Sequence, residues 1–266
     1  MFFDYHVHSN FSSDCKTDMI DTINKAIELN VSEICFTDHI DYDYPDVSID
    51  FDIDLEKYFE RLKHLSSKYK DNIKIKTGIE IGLQPHIIEK CNESISSFPF
   101  DFVICSIHTA EKKDLYNGDL FKGISQQQAY EKYYLDVLNI VKNFDNYSVV
   151  GHLDIIKRYG SFQSPLNDSI FEDILIEILK NIIDKGKGIE VNSSGFRYGL
   201  NSTSPTVDIL KLYKKLGGTI ITTGSDAHCV QHLCYKFDYV YELLKEIGFK
   251  YVSTFTKMKP NFIKIS

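Results

Sequence analysis

Residues 2–8, Phe-Phe-Asp-Tyr-His-Val-His, read as a β-strand that closes on two histidines. Aromatic and β-branched side chains favour extended backbone. The two-residue repeat of a strand places His6 and His8 on one face, where two imidazoles can grip one divalent cation. Six further runs have the same apolar character: Glu33–His39, Ile73–Leu83, Phe102–His108, Ser148–Asp154, Gly188–Ser193 and Thr219–Asp226. Nearly all carry a potential metal ligand at or near the end, namely Asp38-His39, Glu80, His108, His152, and Asp226 with His228. Parallel strands closed into a barrel bring their C-terminal ends to one rim, which is where active sites of such barrels form. A flat doubly wound sheet would leave groups from its two edges far apart. The shared ending therefore predicts a barrel.

The stretches between the strands support this. Apolar residues at 170, 171, 174, 175, 178, 179, 182 and 183 give Ile170–Asp184 one helical face, with Asp168 before it as cap and Gly186 after it as stop. Leu55, Phe59, Leu62, Leu65 and Tyr69 give Asp54–Tyr69 the same spacing. Ser204-Pro205 is expected to open another helix, with Pro in its first turn, and Gly217-Gly218 to end it. About seven strand–helix repeats in 266 residues, with no linker or low-complexity tract, predict one α/β domain over 1–266. A last run, Tyr251–Phe255, could add a strand.

The net charge is −8, which disfavours nucleic acid or an anionic membrane surface as partner. No apolar run approaches 18 residues, and the N-terminus has neither a basic nor an apolar signal region. The six Cys (15, 35, 91, 105, 229, 234) form no CxxC pair, and reduced thiols are expected. The expectation is a soluble, cytoplasmic protein, monomer or homodimer.

Glu80 sits in mid-run in IKIKTGIEIGL (73–83), where an isolated buried carboxylate is costly; coordination of one metal, or a bridge between two, removes that cost. Histidine and carboxylate ligands without Cys suit Zn, Mn or Fe. His64, on the Asp54–Tyr69 helix, is expected to be solvated, and neither His86 nor His232 is given a chemical role.

HVHSNFSSD (6–14), TDH (37–39), GIEIG (78–82), SIH (106–108), GHLD (151–154) and GSDAH (224–228), in this order, resemble the PHP (polymerase and histidinol phosphatase) superfamily. GHLDIIKRYG (151–160), NSSGFRYG (192–199), GGTIITTGSDAH (217–228) and GFKYVSTFTKMKP (248–260) resemble its monofunctional L-histidinol-phosphate phosphatases. The resemblance implies a distorted (β/α)7 TIM-like barrel with three divalent ions, acting on L-histidinol phosphate in histidine biosynthesis. It implies one metal on His6, His8, Glu80 and Asp226, a second on Glu80, His108 and His152, and a third on Asp14, His39 and His228. Asn30 stands where the family often has Gly, and Asn tolerates the left-handed conformation that ends a helix.

Only three of the 30 basic side chains are Arg. Arg61 falls within a helix. Arg158 and Arg197 follow strand ends, where a planar fork could bind phosphate oxygens as Lys cannot. The expected reaction is direct, in-line attack on phosphorus by a hydroxide bridging two metals, with Arg158 and Arg197 neutralising phosphoryl charge and Asp226, His228 or a metal-bound water protonating the leaving alkoxide. Tyr116, Phe196 and Tyr198 are candidate walls for the imidazole. Asn10, Asp38, Asp154, Asn192 and Tyr198 are expected to support the ligands. The rival readings are another PHP phosphoesterase, an amidohydrolase-like metal hydrolase and a metal-binding regulator.

Overall fold

A computed structural model of the chain describes residues 1–265. In chain order it comprises β1 (Phe2–Val7), α1 (Met19–Glu28), β2 (Val31–Phe36), β3 (His39–Asp41), α2 (Leu55–Lys68), β4 (Lys74–Gly82) and α3 (Ile88–Ser96). Next come β5 (Phe102–Ser106), the short hairpin β6 (Thr109–Ala110) and β7 (Lys113–Asp114), then α4 (Gln126–Asn143) and β8 (Val149–Val150). The chain ends with α5 (Glu172–Asp184), β9 (Gly188–Asn192), α6 (Val207–Lys215), β10 (Ile221–Gly224), α7 (Phe237–Ile247), β11 (Tyr251–Thr256) and β12 (Lys259–Lys264).

Seven strands pair in parallel in the order β1-β2-β4-β5-β8-β9-β10, with β3 as a short addition beside the C-terminal half of β4. The ring closes between β10 and β1. Val7 bridges Ala227 in parallel register, the amide of Asp226 donates to the carbonyl of His6 at 2.8 Å, and that of His8 donates to the carbonyl of Ala227 at 2.9 Å. A nearly closed parallel barrel with helices outside is the architecture that the strand endings predicted.

The helices bury most of the apolar faces read from the sequence, although Ile170 is exposed, and Tyr58 rather than half-buried Phe59 reaches the core from α2. Tyr58, Leu62 and Leu65 of α2 are buried, as are Leu175, Ile178, Leu179 and Ile182 of α5, and Asp54 caps α2 by accepting from the Lys57 amide. Asn30 has φ 54°, the left-handed turn anticipated for it after α1.

Several boundaries differ from expectation. Asn167, not Asp168, caps the 3-10 turn that leads into α5, because the Asp168 carboxylate is drawn to buried Lys157 at 2.5 Å. Pro205 lies ahead of α6, whose cap is Thr206. The run Ser148–Asp154 yields only a two-residue strand, since the chain turns at His152 into the 3-10 helix Ile155–Arg158. β11 does not extend the barrel. It pairs antiparallel with β12, and Phe255 packs on Tyr5 and Phe102 with ring centroids 6.4 and 5.0 Å away. The Lys257 and Met258 amides bind Asp101, the residue before β5, so the hairpin plugs the end of the barrel where the strands begin.

Candidate metal centre

At the opposite rim the strand ends converge on Glu80. This fully buried carboxylate, in β4, has His39 beside it across the β3–β4 register. Its Oε2 lies 3.1 Å from His6 Nε2, 3.1 Å from His39 Nδ1 and 3.4 Å from His8 Nε2. Its Oε1 lies 2.9 Å from His152 Nε2 and 3.3 Å from His108 Nε2, and accepts a 2.6 Å hydrogen bond from Ser106 Oγ. Asp226 Oδ1 is 3.5 Å from His8 Nε2 and from His228 Nδ1, and 3.7 Å from His6 Nε2. Asp14 Oδ2 completes the outer side, 3.3 Å from His228 Nε2 and 3.6 Å from His39 Nε2. All nine residues singled out in the sequence for metal are therefore brought together.

The donor set fits divalent cations. The groups His6/His8/Glu80, Glu80/His108/His152 and His8/His39/His228 are each compact enough to share an ion. Among the described residues, His8 Nε2, His39 Nδ1 and His152 Nδ1 are buried without a hydrogen-bond partner. Buried polar atoms rarely stay unpaired without a functional reason. The charges also fit poorly without cations. Burial, with His228 and His39 stacked alongside, pushes His8 down to about 3. Burial would lower His39 too, but Glu80, Asp41 and Asp14 raise it to about 9. Burial would raise Glu80 and Asp226, yet the surrounding imidazoles hold both well below the usual carboxylate range.

An outer layer holds these rings. Glu190 Oε1 lies 2.7 Å from His6 Nδ1, and its Oε2 accepts from the amide of His152 and from Asn192 Nδ2. Asp41 Oδ1 lies 2.7 Å from His108 Nδ1. Asp38 accepts from the Ser12 hydroxyl, whose Oγ is 3.3 Å from His8 Nδ1. Asn192 and Asp38 thus stand where support was expected. Asp154 does not: its carboxylate binds Ser204 Oγ and the Thr206 amide, tying down the start of α6. Asn10 is exposed and touches no ligand with its side chain in a hydrogen bond. Glu190 and Asp41 were not singled out from sequence. Glu190 carried the signal that marked Glu80, a carboxylate inside an apolar run (GIEVN), and Asp41 lies two residues past His39, as His8 lies two past His6.

A cavity of about 400 Å³ opens over the cluster. Asp14, His39, Glu80, His108, His152, Asp226 and His228 form its floor; Arg158 and the aromatic rings of Tyr44, Phe51, Tyr116, Tyr159 and Tyr198 form its walls. Arg158 donates from Nη2 to Ser194 Oγ at 2.7 Å and lies 3.4 Å from Asp226 Oδ2, while its buried Nε has no partner among the described residues. The Tyr198 ring covers its guanidinium at 3.8 Å.

Two of the proposed substrate contacts fall elsewhere. Arg197 is not on the cavity wall: Nη1 donates to the carbonyl of Ser225 at 2.7 Å and Nη2 to that of Asp226 at 2.9 Å. Phe196 turns away, edge-on to Tyr239 of α7 at 5.4 Å, with Lys236 Nζ 4.5 Å from its ring. His86 pairs with Asp43 at the surface, His64 is exposed and His232 lines no part of the cavity.

A parallel barrel with imidazoles and carboxylates gathered at one rim defines a metal-site hydrolase architecture, and comparison with known proteins makes this specific. Residues 4–194 match the PHP domain family. The chain is 36% identical over 258 residues to the histidinol-phosphatase of Lactococcus lactis, covering 96% of this chain and 95% of that one. It is 33% identical to a probable histidinol-phosphatase of Clostridium acetobutylicum, covering 86% and 87%. The crystal structure of the Lactococcus lactis histidinol phosphate phosphatase, complexed with zinc, L-histidinol and phosphate, aligns with a TM-score of 0.92 at 35% identity over 98% of both chains. The chain belongs to the PHP domain family and, within it, to the histidinol-phosphatases.

Proposed function

We propose that this protein is a metal-dependent phosphatase that hydrolyses L-histidinol phosphate to L-histidinol and phosphate, a step of histidine biosynthesis. One observation carries the reading. Six imidazoles and three carboxylates gather around Glu80 beneath an open cavity, in a fold that overlays at a TM-score of 0.92 on a relative holding zinc, L-histidinol and phosphate. The matches to whole relatives favour one domain over 1–266, and the six unpaired thiols suit the cytoplasm.

Three divalent ions are the occupancy that the donor set suits. Zn fits the imidazole-rich chemistry, and Mn or Fe fit the carboxylates. His6, His8, Glu80 and Asp226 would hold one, Glu80, His108 and His152 the second, and Asp14, His39 and His228 the third. When bound, such ions supply Lewis acidity to phosphoryl oxygens and lower the pKa of water into the neutral range.

The chain's own residues do the rest. Arg158 lines the cavity, where its guanidinium can serve a phosphoryl oxygen, and its Ser194 bond and the Tyr198 ring keep the fork from swinging. Arg197 acts one step back, fixing the Ser225–Asp226 turn by both carbonyls. Asp226 and His228 lie on the floor beside Arg158; Asp226 stays ionised, which leaves His228 as the side chain there to return a proton to the departing alkoxide. Tyr44, Phe51, Tyr116 and Tyr159 offer flat faces to an imidazole or ammonium group.

A substrate panel tests the reading. Phosphate should be released from L-histidinol phosphate at least about 100-fold more efficiently than from phosphotyrosine or nucleotides, a margin within reach of a few specific polar contacts. Faster turnover of either of the latter would assign the protein to another phosphoesterase activity.

A further inference from the structure

Asp41 is not among the nine candidate ligands, yet its carboxylate touches two of their imidazoles. Oδ1 lies 2.7 Å from His108 Nδ1, and Oδ2 lies 3.5 Å from His39 Nδ1. The opposite nitrogens of these rings face different partners: His108 Nε2 is 3.3 Å from Glu80 Oε1, whereas His39 Nε2 is 3.6 Å from Asp14 Oδ2. One buried carboxylate therefore stands behind histidines of two separate ligand groups. The neighbouring strand is cut away to admit it. Gly82 is the register partner of Asp41 across β3–β4, and a Cβ built on Gly82 would overlap the carboxylate. A glycine inside a strand often marks such a close approach.

The geometry points to Asp41, seated on Gly82, as a positioning residue that orients His39 and His108 together and so links the second metal group to the third. This rests on the ligand assignment proposed above. A ligating imidazole commonly gives its other N–H to a carboxylate, which fixes its tautomer and orientation and raises its basicity. Asp41 is hydrogen-bonded to His108 Nδ1 and stands 3.5 Å from His39 Nδ1. His39 Nδ1 has no hydrogen-bond partner among the described residues and also faces Glu80 Oε2 at 3.1 Å. Disturbing Asp41 should therefore be felt directly at the ion of His108 and, through the ion–dipole contact with His39, at a second ion. Asp41, His39 and His108 are also close enough together to hold an ion of their own. The 2.7 Å contact argues against that use, because Asp41 Oδ1 and His108 Nδ1 are already joined as a hydrogen-bonded pair.

The test uses the full chain stripped by chelator, as wild type, Asp41→Asn and Gly82→Ala. Zinc is titrated in competition with a chromophoric chelator, ions per chain at saturation are counted by elemental analysis, and thermal melts of the metal-free proteins report folding. Asp41→Asn is expected to bind as many ions as wild type, with about 10- to 100-fold weaker affinity at two of the sites, the range seen when such outer partners are removed. Gly82→Ala keeps the carboxylate in the chain but pushes it off its seat, should weaken binding in the same sense, and carries the test if Asp41→Asn does not fold. Unchanged zinc affinity in a folded variant would overturn the proposal. So would the loss of one whole ion with the others unaffected, which would make Asp41 a ligand. If wild type itself binds no zinc, the ligand assignment fails first.

Discussion

Arg158 and Arg197 show how far a residue's task depends on what its neighbours leave free. Both follow strand ends and both looked like phosphate forks. Arg158 lines the cavity, while Arg197 does not and gives both terminal nitrogens to the carbonyls of Ser225 and Asp226. Asp226 has φ 54°, a conformation that costs a non-glycine residue about 1–2 kcal/mol, and the two bonds from Arg197 help hold it there. The two substitutions should therefore separate. Arg158→Ala is expected to lower kcat/KM for L-histidinol phosphate by roughly 100-fold or more, with the metal content intact. Arg197→Ala is expected to weaken metal retention through Asp226, seen as fewer ions per chain after dialysis. Equal metal content in the two variants would contradict the division. The sequence showed that these arginines were unusual. It could not show which of them was already engaged, because the acceptors are backbone carbonyls about 29 residues away.

Among the elements, the strand endings were legible because most ligands stand at or just past the end of an apolar run, and Glu80 because a carboxylate in mid-run is conspicuous. Glu190 was overlooked because GIEVN reads as one more buried strand, and Asp41 because β3 is only three residues long. The hairpin was the other surprise. Tyr251–Phe255 has strand composition, but nothing in it tells a barrel strand from a plug; only its antiparallel pairing with Lys259–Lys264 does. Phe255 is fully buried against Tyr5 and Phe102. Phe255→Ala should accordingly destabilise the protein by about 3–5 kcal/mol in denaturant unfolding. A loss below about 1 kcal/mol would mean that the hairpin is a loosely attached flap.

Taken whole, the molecule couples its charge to its metals. The net charge of −8 includes Asp14, Glu80 and Asp226, and three divalent ions would bring +6 to the same rim. An acidic chain can thus present a cationic pocket to a phosphate ester. The metal-free protein should show the strain as a function of pH. His39, raised from 6.5 to about 9, contributes stability that is full below pH 6.5 and lost as pH rises through 9. His8, lowered from 6.5 to about 3, has the opposite effect, losing stability as pH falls from 6.5 through 3. Thermal melts of stripped protein should peak near pH 6.5 and decline towards 9. Added metal, which needs neutral imidazoles, should stabilise more as pH rises.

If this rim works only when loaded, phosphate release from L-histidinol phosphate by chelator-stripped protein should follow occupancy as zinc or manganese is added back and bound ions are counted. The stripped protein should release no phosphate above background, and activity should rise to its full value as occupancy approaches three ions per chain. Full activity in stripped protein, or none at full occupancy, would contradict the account.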